Sequence, residues 1–197
     1  LVDPNAHGFD GSGVLAEDFE GTVGPNFASP RYSQDASTTR LAGPLLDTPA
    51  YRMYAREIQR HDAINVQMDL LTYGPVASDT VSQTIAVEVG GESVGTIGFD
   101  GVNGPEFTGS AEGTLVGVGD GQTASGNQFT RYRLNLRLVH ASSALDIELV
   151  PTNFKGLLNT SFAVDDIVMT LDTPQADVFN ISLPVEIPDD PALQETG

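Results

Sequence analysis

Along most of this chain apolar and polar residues alternate with period two, broken by glycine and proline rather than by helical spacing. The clearest case is Ala63 to Thr72: Ile64, Val66, Met68 and Leu70 fall on one face, Asn65, Gln67 and Asp69 on the other, which predicts a half-buried strand. Thr80 to Val89, the Gly90-Gly91 pair and Val94 to Phe99 predict a β-hairpin. Phe129 to Val139 sets Tyr132, Leu134, Leu136 and Leu138 against Arg131, Arg133, Asn135 and Arg137, so that one face is buried and the other carries three arginines. Leu145 to Val150 places Leu145, Ile147 and Leu149 together, and shorter strands are predicted at Val14 to Phe19 and Thr38 to Leu46. Tyr51 to Gln59 also alternates, with a helix left open there.

Three segments carry no regular pattern. Residues 1–13 read as an extended, turn-rich lead-in, and 22–37 read as loop. Residues 100–127 are so rich in Gly, Asp, Asn and Ser that only Thr114 to Val118 is predicted as strand inside a rim loop. Ser161 to Leu171 reads as the closing strand, although Asp165-Asp166 interrupts its apolar run. Two adjacent carboxylates in a buried strand cost several kcal/mol each unless paired or bound to a cation. Beyond that strand, Phe179, Ile181, Leu183, Val185 and Ile187 alternate with Asn180, Ser182, Pro184 and Glu186. This predicts one more strand, and Pro184, unable to donate a ladder bond, points one of its sides to an edge or to solvent.

Nine or ten strands, no βαβ alternation and no repeat of 20 to 50 residues predict an all-β fold, an antiparallel β-sandwich of jelly-roll type with extended N- and C-terminal segments. The corresponding divisions are 1–13, the sandwich 14–173 and a strand-bearing tail 174–197.

Charge narrows the partners. With 9 Lys+Arg against 27 Asp+Glu the net charge is -18, which repels phosphate backbones and anionic headgroups, and no basic cluster overrides it. Nucleic acid and membrane surface are therefore excluded as expected partners, leaving cations, saline solvent or a basic partner. There is no run of 18 apolar residues, so no membrane insertion is expected. The absence of cysteine removes disulfides, thiol nucleophiles and thiolate metal sites, so a stapling ion would be a hard cation on oxygen ligands. The start at Leu1, and a basic complement in which Lys155 is the only lysine, fit a processed, secreted product.

Several motifs have bland readings that outweigh the chemical ones. Gly91-Glu92-Ser93-Val94-Gly95 matches G-x-S-x-G, yet the nucleophile elbow needs a strand running into a helix, and here the motif lies between two alternating segments. His7, His61 and His140 are scattered at no metal-ligand spacing and read as surface or strand-end residues. The Asp-Gly pairs at Asp10, Asp100 and Asp120 read as turns. Asn159-Thr160-Ser161 and Asn180-Ile181-Ser182 fit the glycosylation sequon. Arg131, Arg133 and Arg137 read as an outer face paired with nearby carboxylates, with a docking patch for an acidic partner as the alternative.

In order and spacing, three stretches resemble the extracellular jelly-roll modules of the MAM-like and galactose-binding-like type: Asp18-Phe19-Glu20-Gly21 at the opening strand, His61 to Leu70 at an early strand, and Phe162-Ala163-Val164-Asp165-Asp166-Ile167 at the closing strand. The resemblance spans roughly residues 14–171. It implies a structural calcium ion clamping the first and last strands, held by Glu20 and Asp165 with Asp18 and Asp166 as neighbours; Ca²⁺, with its taste for six to eight oxygens, suits them.

The expected function is that of a non-catalytic, secreted, calcium-stabilised structural protein. It would be a subunit of an extracellular filament, matrix or surface layer, a homo-oligomer or polymer assembling by strand addition through Phe179, Ile181, Leu183, Val185 and Ile187. A carbohydrate-binding or adhesion module with a glycan partner is the alternative, and a hydrolase with an unrecognised site ranks third.

Overall fold

The computed structural model describes residues 9–27, 29, 32–34, 40–46, 50–74, 82–99, 104–155 and 161–173. Phe179 to Ile187, the tail 174–197, His7 and both sequon asparagines lie outside the described residues.

In chain order the strands are β1 (Val14–Glu17), β2 (Tyr32–Gln34), β3 (Arg40–Leu45), β4 (Tyr51–Arg56), β5 (Ala63–Tyr73), β6 (Gln83–Val89), β7 (Glu92–Phe99), β8 (Glu106–Gly109), β9 (Glu112–Gln122), β10 (Gln128–Val139), β11 (Ala144–Thr152) and β12 (Ser161–Asp172), with one 3₁₀ turn at Pro25–Phe27. They form two antiparallel sheets. A seven-stranded sheet runs β2-β3-β12-β5-β10-β9 with β1 also pairing β12, and a five-stranded sheet runs β4-β11-β6-β7-β8. Among the described residues no helix is long and apolar enough to cross a membrane.

Period two sets the layers. Ile64, Val66, Met68 and Leu70 of β5, Leu134, Leu136 and Leu138 of β10, and Phe162, Val164, Ile167 and Met169 of β12 share a single core with Met53, Ile85, Val87, Ile97, Ile147 and Leu149 of the other sheet. Each fully buried aliphatic or aromatic side chain contributes about 1.5 to 3 kcal/mol, which makes this shared layer the main source of stability.

The alternating segment at Tyr51 is strand, not helix: Tyr51, Met53 and Ala55 point inward while Arg52 and Arg56 stay exposed. The glycine-rich stretch 100–127 departs from expectation more strongly. It holds β8 and the eleven-residue β9, which together occupy most of the segment read as rim loop. Glycine there makes room for aromatic rings, one from the neighbouring strand β10 and one from β8 of the other sheet. A Cβ on Gly121 would lie 2.4 Å from the Phe129 ring, and one on Gly113 would lie 2.5 Å from Phe107. Phe9, inside the supposed lead-in, is buried in the core.

Candidate functional site

Register defines the outer face of the seven-stranded sheet as a grid. Reading across β12, β5, β10 and β9, one row is Asp165, Asp69, Arg133, Val116; the next is Val168, Gln67, Asn135, Thr114; the next is Thr170, Asn65, Arg137, Glu112. Above the charged row sit Ala163, Leu71 and Arg131. Neighbouring side chains on one face of antiparallel strands stand close enough to interact directly, so the rows read as contact lists.

Asp69 and Asp165 lie directly opposite each other, and both are fully buried. The arginines of β10 close over them. Arg133 donates from Nε to Asp69 Oδ1 at 2.7 Å and from Nη2 to Asp69 Oδ2 at 3.0 Å, a two-pronged pairing. Arg131 donates to Asp69 Oδ2 at 3.2 Å and lies 3.5 Å from Asp165 Oδ2 and 3.7 Å from Asp166 Oδ2. Arg137 pairs with Asp172 at 2.7 Å. All three arginines thus engage carboxylates, as the bland reading of that face expects.

The Asp165-Asp166 pair sits on a β-bulge. Asp165 opposes Asp69 and Val168 opposes Gln67, which leaves one extra residue on β12. Asp166 takes the left-handed conformation at φ 46°, which aspartate tolerates better than most residues. Asp165 Oδ1 accepts the Asp166 backbone N–H at 3.0 Å, whereas its buried Oδ2 has no hydrogen-bond partner. Burial, then the charge of Asp166, pushes the Asp165 carboxyl up to about 7. Burial and Asp69 also push Asp166 up.

The other two acids of the expected calcium set part company. Asp18 lines a surface cavity of about 480 Å³ with Glu17, Thr22, Gln67, Arg133 and Asp166. Glu20 turns elsewhere, its Oε1 accepting the Arg40 backbone N–H at 2.6 Å. Glu17 organises this loop by accepting from the N–H of Phe19 and of Gly24, both at 2.7 Å. Among the described residues no group of three or more His, Asp or Glu side chains is arranged as a metal site.

Beside the charged row, an open cavity of about 440 Å³ lies over the two polar rows, with Asn65, Gln67, Asn135, Thr114 and Arg137 among its walls. The G-x-S-x-G serine is a hairpin residue: Ser93 on β7 faces Glu88 on β6 beyond the left-handed Gly90 and Gly91.

Sequence reasoning missed two features. Asp69 was placed only on a polar face, and its role as the shared partner of Arg131 and Arg133 depends on the β5–β10 register. His61 and His140, 79 residues apart, meet with ring nitrogens 2.8 Å from each other. The sequence offers one faint signal, that each histidine borders a strongly alternating strand. No family model, no curated protein and no solved structure matches this chain.

Proposed function

We propose that this protein is a non-catalytic, secreted β-sandwich module of jelly-roll type, a structural subunit of an extracellular filament, matrix or surface layer that grows by strand addition. The observation that carries the reading is the outer edge of β9, which among the described residues pairs only with β10. This strand ends the seven-stranded sheet, runs for eleven residues, and exposes Val116 at 56% and Val118 at 52%. Soluble proteins normally blunt such edges with charge, proline or brevity. The register shift at Val118 interrupts the edge, which leaves residues 112–117 as the regular stretch. The donor is the alternating segment Phe179 to Ile187 of a second copy.

Connectivity supports the jelly-roll assignment: β3, β5, β10 and β12 belong to one sheet, and β4, β6 and β11, which intervene in sequence, belong to the other. Calcium belongs to the same proposal. Arg131 and Arg133 offset the charges on Asp69 and Asp166; Asp18 and Glu17 add two more at the adjoining cavity, and the buried Asp165, which a cation would help to ionise, has an Oδ2 without a hydrogen-bond donor. Such an oxygen-rich, net negative setting fits a hard divalent cation held by Asp165, Asp166 and Asp18, without Glu20, which is turned to the Arg40 N–H.

Light scattering on the full chain and on a chain lacking residues 174–197, each with calcium and with chelator, tests both parts. Expected are polymers from the full chain only and a higher Tm with calcium. Equal assembly by the shortened chain overturns strand addition, and a Tm indifferent to chelation overturns the ion.

One observation favours glycan binding as a second reading. Asn65, Gln67 and Asn135 present three carboxamides side by side, with Thr114, Thr170 and Arg137 around them, a set suited to hydroxyl groups. Binding on a glycan array that is lost in an Asn65→Ala/Asn135→Ala variant, by a monomeric protein, would place this reading first.

A further inference from the structure

The connection from β4 to β5 and the connection from β10 to β11 both cross between the sheets, and they meet at one end of the sandwich. Ile58 N–H donates to Ser143 O at 3.1 Å, His140 N–H to Asp62 O at 3.2 Å, and Asp62 N–H to Asp172 O at 2.9 Å. Within this junction lie two imidazoles. His61 is 2% exposed, its ring within 17° of parallel to that of His140, with His61 Nε2 2.8 Å from His140 Nδ1. The remote nitrogens each face a carbonyl: His61 Nδ1 is 2.6 Å from Gln59 O, and His140 Nε2 is 3.0 Å from Ala144 O.

Counting protons decides the state of this pair. A carbonyl oxygen only accepts, so both remote nitrogens must carry N–H. Two neutral rings hold two protons in all, and both are then used. What remains is two bare lone pairs facing each other at hydrogen-bond distance, a repulsive contact unless something positive lies between them. Moving a proton to the inner side relieves that contact but sets a lone pair against a carbonyl at the buried end. Three hydrogen bonds need three protons. We propose that His61 and His140 form a one-proton binding site, an imidazole–imidazolium pair of charge +1 that latches the two sheet-crossing connections together.

The surroundings suit one proton and refuse a second. The charged groups at this end of the sheet are Asp62, Asp172, Arg137 and Glu112, with Arg137 tied to Asp172 and facing Asp62 and Glu112. Glu57 and Arg60 are exposed on the β4–β5 connection, and Arg56 is turned onto the carbonyls of Ala55 and Leu145. A second proton would put two cations 2.8 Å apart. Burial first, and then the neighbouring His61, hold His140 below the ordinary histidine range.

The pH dependence follows with its sign. Two unfolded histidines bind two protons below about pH 6.5 and none above it. The folded pair holds one throughout that window. On the acid side the unfolded chain binds more protons, so stability rises with pH; on the alkaline side the folded pair binds more, so stability falls. The latch therefore contributes most near pH 6.5 and less on either side.

Nitrogen-15 NMR of the wild-type imidazoles is the direct test. Expected are protonated His61 Nδ1 and His140 Nε2 and a third, exchange-protected proton shared by the inner nitrogens across neutral pH. Two neutral rings at pH 7, titrating independently, would overturn the proposal. A second measurement compares the denaturant midpoints of wild type and His140→Gln from about pH 5 to 8. The difference should pass through a maximum near pH 6.5, with the amide protons of Ile58, Asp62 and His140 losing protection first on acidification; a difference that changes monotonically with pH counts against it.

Discussion

The inner face of the seven-stranded sheet and the acid row on its outer face share strands and register, yet they bury their side chains by different chemistry. On the inner face Met68, Leu70, Leu134, Phe162 and Val164 are interchangeable in kind: each is apolar and removed from water, and its contribution scales with area. On the outer face Asp69 and Asp165 are buried just as completely, but their cost depends on individual partners: Arg131 and Arg133, an N–H from Asp166, and one oxygen left without a donor. Shape fixes the inner face and also the small apolar cluster of Leu41, Leu71, Tyr73, Phe129 and Ala163 on the outer one, whereas the acid row is fixed by identity. Substitutions should therefore act by different rules on the two sides.

The largest effect is expected inside. Phe162→Ala removes a fully buried ring that packs on Phe154 with centroids 5.4 Å apart. It should lower stability by about 3 to 5 kcal/mol, read as a shift in the urea midpoint without change of slope. Asp69→Ala should cost about 2 to 4 kcal/mol although it deletes no apolar contact, because Arg133 and Arg131 lose their shared acceptor while Asp165 loses none of its burial. Because Arg133 keeps part of its solvent contact, the lower half of that range is expected. A loss below about 0.5 kcal/mol would mean that the arginines are held by something other than this carboxylate.

How far these two faces were legible in the chain follows from the same distinction. Period two identifies faces without knowledge of partners, and so Ile64 through Leu70, the Gly90-Gly91 hairpin and the Leu134 face are read correctly from spacing alone. What spacing cannot supply is which strand lies beside which. Asp69 opposite Asp165 and His61 against His140 both join residues more than 75 positions apart, and neither pairing leaves a local trace. The glycines of β9 misled for a related reason: Gly113 and Gly121 suggest a loop until Phe107 of the other sheet and Phe129 of the neighbouring strand are seen to fill the space over them. The bulge at Asp166 was visible only as an anomaly, two acids in an apolar run.

A finer comparison isolates the buried acid. Asp165 has a carboxyl raised to about 7, so the folded state binds its proton more tightly than the unfolded chain does. The protonated form is favoured, and its contribution to stability is complete below about pH 4 and lost as pH rises towards 7. Asp165→Asn keeps an oxygen for the Asp166 N–H and removes the titration. The variant should show a flatter stability profile between about pH 4 and 7 and be the more stable protein above it, by an amount under about 4 kcal/mol. Saturating calcium, if it neutralises Asp166 and Asp18 as proposed, should shrink this difference, and circular-dichroism melts at matched pH would read both effects.

The smallest effect on stability, and the sharpest on assembly, is expected where the outer grid meets its edge. Val116 stands beside Arg133 across the β9–β10 pair and is 56% exposed, so its burial contributes little to the monomer. Val116→Glu places a carboxylate next to Arg133 rather than an unpaired charge, and the midpoint should move by no more than about 0.5 kcal/mol. A strand arriving at residues 112–117 meets a different situation. It must bring an alternating apolar segment of a chain of net charge -18 alongside a new acidic group, and it loses an apolar contact at the position that had been open. Edge pairing has many competing alternatives and little energy to spare, so a single charge is sufficient to prevent it, as it does on natural edge strands. Light scattering should then report monomers from Val116→Glu under conditions in which the unaltered chain polymerises. The same substitution made at the still more accessible Val139, which is 88% exposed at the far end of β10 and away from the edge, should leave polymers intact. If both variants assemble alike, β9 is not the acceptor, and the exposed valines are ordinary surface residues.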